Sequence, residues 1–266
     1  MTKPPFNWKL FFILLAGATL GLVSVLPYVL TLQGDAVIND VAAQAGMPVP
    51  LLILIQIASQ VIVLGVAIWI GLSFAGAVGL GLPLLEGLLR GEKIGPALRR
   101  FLPLSLALGV ILALIILALD VFVFQPALIA QLGPTALAGQ AAIQPAAWKG
   151  LLASFYGAIN EEILLRLCVM SFLVWVGRFV SKTSEGKPTL AVFWAANILA
   201  AVLFGLGHLP ATAALVPLTP LVVARAIALN GLIGVGFGYL YFKHGLESAM
   251  ISHFAADIVL HVLTAL

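Results

Sequence analysis

Charge is scarce in this chain, and the scarcity identifies its solvent. Only 9% of the 266 residues are charged and 62% are hydrophobic, whereas an ordinary soluble domain carries roughly 25% charged residues. Water cannot be the main solvent of such a chain. The single cysteine, Cys168, excludes an intramolecular disulfide and any multi-cysteine metal site. Nearly every Lys and Arg falls between apolar runs, so no basic face interleaved with aromatics exists and nucleic acid is excluded as a partner. His-Glu-x-x-His is missing, which removes the usual metalloprotease helix. No internal repeat is present, so an inverted-repeat transporter gains no support.

What the sequence does contain is long apolar runs. Leu10 to Leu32, Leu51 to Leu72 and Leu102 to Phe124 each approach or exceed the ~20 residues a helix needs to cross the hydrocarbon layer. The first is too long for a signal-peptide core of about 7–15 residues and ends in no small-x-small cleavage site, so it reads as a spanning helix. The whole pattern predicts an all-α, polytopic transmembrane bundle of about seven helices (range six to eight), near 10–32, 50–80, 101–124, 148–177, 189–208, 216–242 and 246–265. Pro48, Pro50, Pro145, Pro188 and Pro217 mark helix starts, where a missing N–H is harmless. Gly231, Gly234 and Gly238 favour close helix approach.

Charges alternate between successive connections. Lys3 and Lys9 precede the first run, Asp35 and Asp40 follow it, and Arg90, Lys93, Arg99 and Arg100 follow the second. Arg178, Lys182 and Lys187 follow the fourth, and Lys243 the sixth. By the positive-inside rule the N-terminus is cytoplasmic and the C-terminus lies on the other side. Pro83 to Arg100 interleaves apolar and charged residues, as expected of a helix on the cytoplasmic membrane surface or of a basic loop.

Ionisable groups at bilayer depth cost ~2.5–3.5 kcal/mol each on insertion scales, so clusters of them need a reason. Three packets occur in the C-terminal half. In Asn160-Glu161-Glu162-Ile163-Leu164-Leu165-Arg166, Glu162 and Arg166 stack one helical turn apart while Glu161 projects about 100° aside. Arg166 is thereby placed to clamp Glu162 and leave Glu161 free. Phe204 and His208 are one turn apart near the end of the fifth helix, and His253 and Asp257 one turn apart in the last. An aspartate at that spacing is placed to hydrogen-bond one ring nitrogen and fix the tautomer or the imidazolium. Facing the three polar stripes together is the least costly way to bury them.

In that order, Glu-Glu-x-x-x-Arg, Phe-x-x-x-His and His-x-x-x-Asp resemble the CAAX protease and bacteriocin-processing family of intramembrane proteases, also called Abi, over about residues 148–260. Gly-Phe-Gly-Tyr-Leu-Tyr at 236–241 looks like its bacterial branch. The resemblance implies a glutamate peptidase: Glu161 as general base, His208 positioning water or moving its proton, and His253 with Asp257 at the oxyanion site. Independently, a carboxylate short of water is a good proton acceptor. Glu162 and Arg166 would orient the site, and Phe204 would pack it. An ionised Asp257 repels an oxyanion, so the expectation is that it keeps His253 cationic and that His253 is the electrophile.

Plainer readings exist for each residue: an intrahelical ion pair for Glu162 and Arg166, interhelical packing for His208, and a satisfied pair for His253 and Asp257. His244 and His261 are given no role, Asp120 lies near a helix end, and Arg225 is a possible partner for the cluster. The first three helices, within residues 1–147, are expected to be peripheral to a four-helix catalytic core at 148–266. The expected function is endopeptidase cleavage of a membrane-associated protein or peptide without a cofactor. Zinc held by one glutamate and two histidines is the enzymatic alternative. A non-catalytic immunity, scaffold or transport protein is the other. The bilayer, in particular a bacterial inner membrane, is the expected location. Counting residues from helix ends places His208 near the outer face and His253 nearer the cytoplasmic one, a tension left open.

Overall fold

The computed structural model describes residues 6–133 and 144–266. Lys3 and residues 134–143 lie outside the described residues. The described chain is helical almost throughout: α1 (Trp8–Gln33), α2 (Asp35–Gln44), α3 (Val49–Ala75), α4 (Pro83–Leu89), α5 (Gly95–Leu119), α6 (Gln125–Leu132), α7 (Ala147–Tyr156), α8 (Ser171–Gly177), α9 (Leu190–Gly207), α10 (Leu209–Ala213), α11 (Pro220–His244) and α12 (Leu246–Asp257). Wider π-helical turns join α5 to α6 (Asp120–Phe124), join α7 to α8 (Gly157–Glu161 and Ile163–Met170) and follow α12 (Ile258–Val262). Seven rods result. Six among the described residues are long and apolar enough to cross a membrane, and the seventh, α7 through α8, carries the first polar packet.

Local chemistry sets the boundaries. Asn7 Oδ1 accepts from the Leu10 amide at 3.1 Å and caps α1. Thr219 Oγ1 accepts from Val222 at 3.3 Å, with Pro220 in the first turn, so α11 begins at Pro220 and not near Pro217. Between α11 and α12 the chain reverses at Gly245, whose φ of 96° and contact with Pro83 leave no room for a side chain. The stretch 83–100, expected as a surface helix or a basic loop, is the short α4 followed by a turn, and the third rod starts at Gly95 and takes Arg99 and Arg100 into its first turns. α2 adds to the expected helices. It has only 10 residues and carries Asp35 and Asp40, so it is too short and too polar to read as a span, and it lies between two of them.

The bundle is apolar outside as well as inside. Leu20, Ile62 and Phe122 are 71%, 68% and 78% exposed, an arrangement stable only where the solvent is lipid. Helix contacts are therefore fastened by small residues and polar groups. Ser105 and Ser248 hydroxyls meet at 2.8 Å, Ser171 and Tyr241 at 2.7 Å, and Asn197 Nδ2 donates to the Val235 carbonyl at 2.9 Å. Asn160 Nδ2 donates to the Ala18 carbonyl at 2.9 Å, tying the first rod to the fourth beside Glu161.

Cross-links define the two ends of the bundle. Leu246 N donates to Gly81 O at 3.0 Å and Arg178 Nη1 to Ala77 O at 3.3 Å, which gathers Arg90, Arg178 and Lys243 at one end. At the other, Lys149 Nζ donates to Thr31 Oγ1 at 2.6 Å and Tyr28 Oη meets His261 Nδ1 at 3.3 Å.

Candidate active site

Three rods deliver the polar packets to one place. His253 is the hub. Its Nδ1 lies 2.8 Å from Glu162 Oε1, and its Nε2 lies 3.6 Å from Glu161 Oε2 and 3.7 Å from Asp257 Oδ1. The last rod can press this closely on the fourth because residue 157 is glycine: a Cβ there would collide with Asp257 Oδ2 and His253 Nε2. The π turns of Gly157–Glu161 and Ile163–Met170 bracket the motif. Such turns widen the helix and re-aim its side chains.

Arg166 holds Glu162 as its spacing implied, with Nη1 3.2 Å from Oε1. The pair is completely buried, at 1% and 0% side-chain exposure. Their approach is close in distance but off the hydrogen-bond direction, so it is an ion pair more than a directed bond. The guanidinium is held elsewhere too. Nη2 donates to Gly234 O at 2.8 Å, and the group sits 5.0 Å from the Phe204 ring and 5.5 Å from that of Phe237. Phe237 in turn stacks on the His253 ring at 4.5 Å.

Phe204 resolves the disagreement in depth between the two histidines. Its ring meets His208 edge-on at 4.8 Å and His253 at 5.9 Å, so both flank one aromatic residue. His208 ends α9, and the chain continues into α10 instead of leaving the bundle. His208 Nδ1 lies 2.9 Å from the Phe204 carbonyl, which can only accept, so the proton sits on Nδ1 and Nε2 is the free nitrogen.

Two expectations need correction. Asp257 is not the hydrogen-bond partner of His253: it stands at 3.7 Å, while Glu162, on a neighbouring rod, takes the Nδ1 bond. Arg225 does not join the cluster, because its Nη2 donates to Asp120 Oδ2 at 2.8 Å, far along the third rod. Conversely, the structure adds residues that were given no role. His261 Nε2 lies 3.9 Å from Asp257 Oδ1, and Tyr28 from the first rod reaches His261. The spacing of 253, 257 and 261, one turn each, was the available signal for His261. Nothing in the sequence pairs Tyr28 with it.

Among the cluster carboxylates Glu161 is the most open, at 21% side-chain exposure against 10% for Asp257 and none for Glu162. A polytopic helical bundle thus encloses a cluster of carboxylates and histidines between its rods, an arrangement able to move protons within the membrane. Residues 143–259 match the family model for type II CAAX prenyl endopeptidase Rce1-like proteins, so this C-terminal part of the chain is similar to the CAAX protease family of intramembrane proteases. No curated protein and no solved structure matches it.

Proposed function

We propose that this chain is an intramembrane endopeptidase that hydrolyses a peptide bond of a membrane-associated protein or peptide with water activated by Glu161. The observation that carries the reading is the convergence on His253 of Glu161 and Glu162 from the fourth rod and Asp257 from the last. In this scheme water attacks the scissile carbonyl carbon while Glu161 takes one of its protons. His208 Nε2 accepts from the same water and orients it. The carbonyl oxygen becomes an oxyanion held by His253 Nε2–H. As the C–N bond breaks, the proton on Glu161 passes to the leaving nitrogen.

Charge balance favours a cationic His253 as that donor. Three carboxylates against the single guanidinium of Arg166 leave two uncompensated negative charges, and an imidazolium removes one. Glu162, not Asp257, then fixes the ring through Nδ1, and Asp257 steadies the charge from ion-pair distance. No metal is assigned a role. Within the bundle, 148–266 is the reacting core, and α1 and α3 close it from lipid, with Asn160 joined to Ala18 next to the base. The basic end faces the cytoplasm, in what we take to be a bacterial inner membrane.

Purified protein assayed on a fluorogenic lipidated peptide and on membrane-protein substrates tests the scheme. Glu161→Gln and His208→Ala should each lower turnover about 10²–10⁴-fold with folding intact. Wild-type turnover in both variants would remove the enzyme reading. Loss of activity in chelator, reversed by zinc alone, would convert it to the zinc alternative.

A further inference from the structure

The basic end of the bundle holds a cavity of about 640 Å³ that belongs to no part of the candidate active site. It lies where α3 and α11 end and α5 begins, and its wall includes Arg100, Lys243, His244, Phe101 and Phe242. A volume of this size is typical of sites for small ligands. We propose that it binds the phosphate of an anionic phospholipid headgroup.

Charge is the first argument. Arg100 and Lys243 project into the same opening from neighbouring rods, and among the described residues neither is paired with a carboxylate. Lys243 instead lies over the Phe242 ring at 5.4 Å. The acidic residue in the wall, Glu86, is already engaged: Oε1 accepts from the Leu82 amide at 3.1 Å, and Oε2 stands 3.9 Å from Arg90. The cavity is thus left with two uncompensated cations, a demand that a phosphate meets.

Height is the second. Lys243 is in the last turn of α11 and Arg100 in the second turn of α5, so the opening sits where spanning helices leave the hydrocarbon for the headgroup layer. The remaining wall is apolar and aromatic, with the His244 ring stacked on Phe101 at 6.3 Å. A ligand with an anionic head and a hydrocarbon body matches both parts. Basic pockets between spanning helices at this level are where anionic lipid heads dock. Arg99, Lys93 and Lys182 carry the same charge at the same end of the bundle without lining the cavity, so they separate a built site from general attraction to an anionic surface.

The test is native mass spectrometry of the full chain in neutral detergent with phosphatidylglycerol, phosphatidylcholine or inorganic phosphate added. Phosphatidylglycerol should be retained and phosphatidylcholine released. Arg100→Gln and Lys243→Gln should each weaken retention about fivefold, and Arg99→Gln and Lys93→Gln should leave it unchanged. Equal losses from all four variants, or equal retention of both lipids, would overturn the proposal in favour of unspecific attraction. Binding of inorganic phosphate with no retained phosphatidylglycerol would overturn the lipid as its source. The readout does not involve peptide cleavage, so it stands or falls separately from the protease assignment.

Discussion

Among the described residues two arginine–carboxylate pairs lie within the spanning rods, and they are built in opposite ways. Arg225 and Asp120 form a forked pair between the third rod and the sixth. Both nitrogens reach the carboxylate, Gln125 adds a bond to Asp120 at 3.1 Å, and the side chains are 28% and 13% exposed. Each group is satisfied by the other. Arg166 and Glu162 are fully buried within one rod and make a single contact at 3.2 Å, while Arg166 also reaches Gly234, Phe204 and Phe237, Glu162 Oε1 also meets His253, and Glu162 Oε2 has no hydrogen-bond partner among the described residues. The tighter pair is a strap between rods. The looser one is a junction through which three rods orient a histidine.

Breaking the junction should have the larger effect. Arg166→Met leaves the carboxylates around His253 without their only guanidinium, and removing one partner of a buried pair costs about 3–5 kcal/mol. Denaturation of the purified protein in micelles measures this, and a variant as stable as the parent would deny the junction its role. Pairing the change with Glu162→Gln should restore much of the stability, since the orphaned charge is gone. Activity should stay lost, because His253 Nδ1 has then exchanged its carboxylate for an amide.

The strap is predicted to matter less and only to stability. Asp120→Asn should cost about 1–2 kcal/mol, the upper range for polar contacts between membrane helices, with the turnover number unchanged. A coupled cycle with Arg225→Gln should show that the two losses are not additive. If Asp120→Asn abolished cleavage while the protein stayed folded, the division between strap and junction would be wrong.

The same contrast explains what could be read from residue order. Apolar runs set six of the seven rods to within about five residues, because lipid demands a minimum length of helix, while the third, expected over 101–124, runs Gly95–Leu132 because its polar ends continue the helix beyond the apolar run. The one-turn spacing of Glu162 and Arg166 was enough to pair them, since both lie on one helix. Partners on different rods were not legible: Arg225 was not matched to Asp120, nor Glu162 to His253, because spacing carries no information across a helix contact. Asp257 was expected to bond His253 for the reason that made Arg166 easy, a separation of four. Tertiary packing gave that bond to Glu162 instead. The π turns around Glu161, which re-aim the motif, leave no signature in a run of apolar residues.

The smallest effect is expected outside the membrane, at Arg90 and Glu92. Arg90 Nε donates to Glu92 Oε1 at 2.6 Å and Nη2 to Oε2 at 3.3 Å, a fork like that of Arg225 but more than half exposed on both sides. The hydrogen bonds from Arg90 hold the Glu92 carboxyl below its ordinary 4.5. A carboxyl more acidic in the folded chain than in the unfolded one stabilises the fold above its unfolded value, and that contribution fades as pH falls from about 4.5 through the folded value. Solvent and salt screen so open a pair almost completely. Glu92→Gln should therefore melt with the parent at pH 7, and any small difference seen at low salt should vanish in acid. A loss at pH 7 matching that of Arg166→Met would mean that geometry alone, and not burial, decides what an ion pair contributes in this bundle.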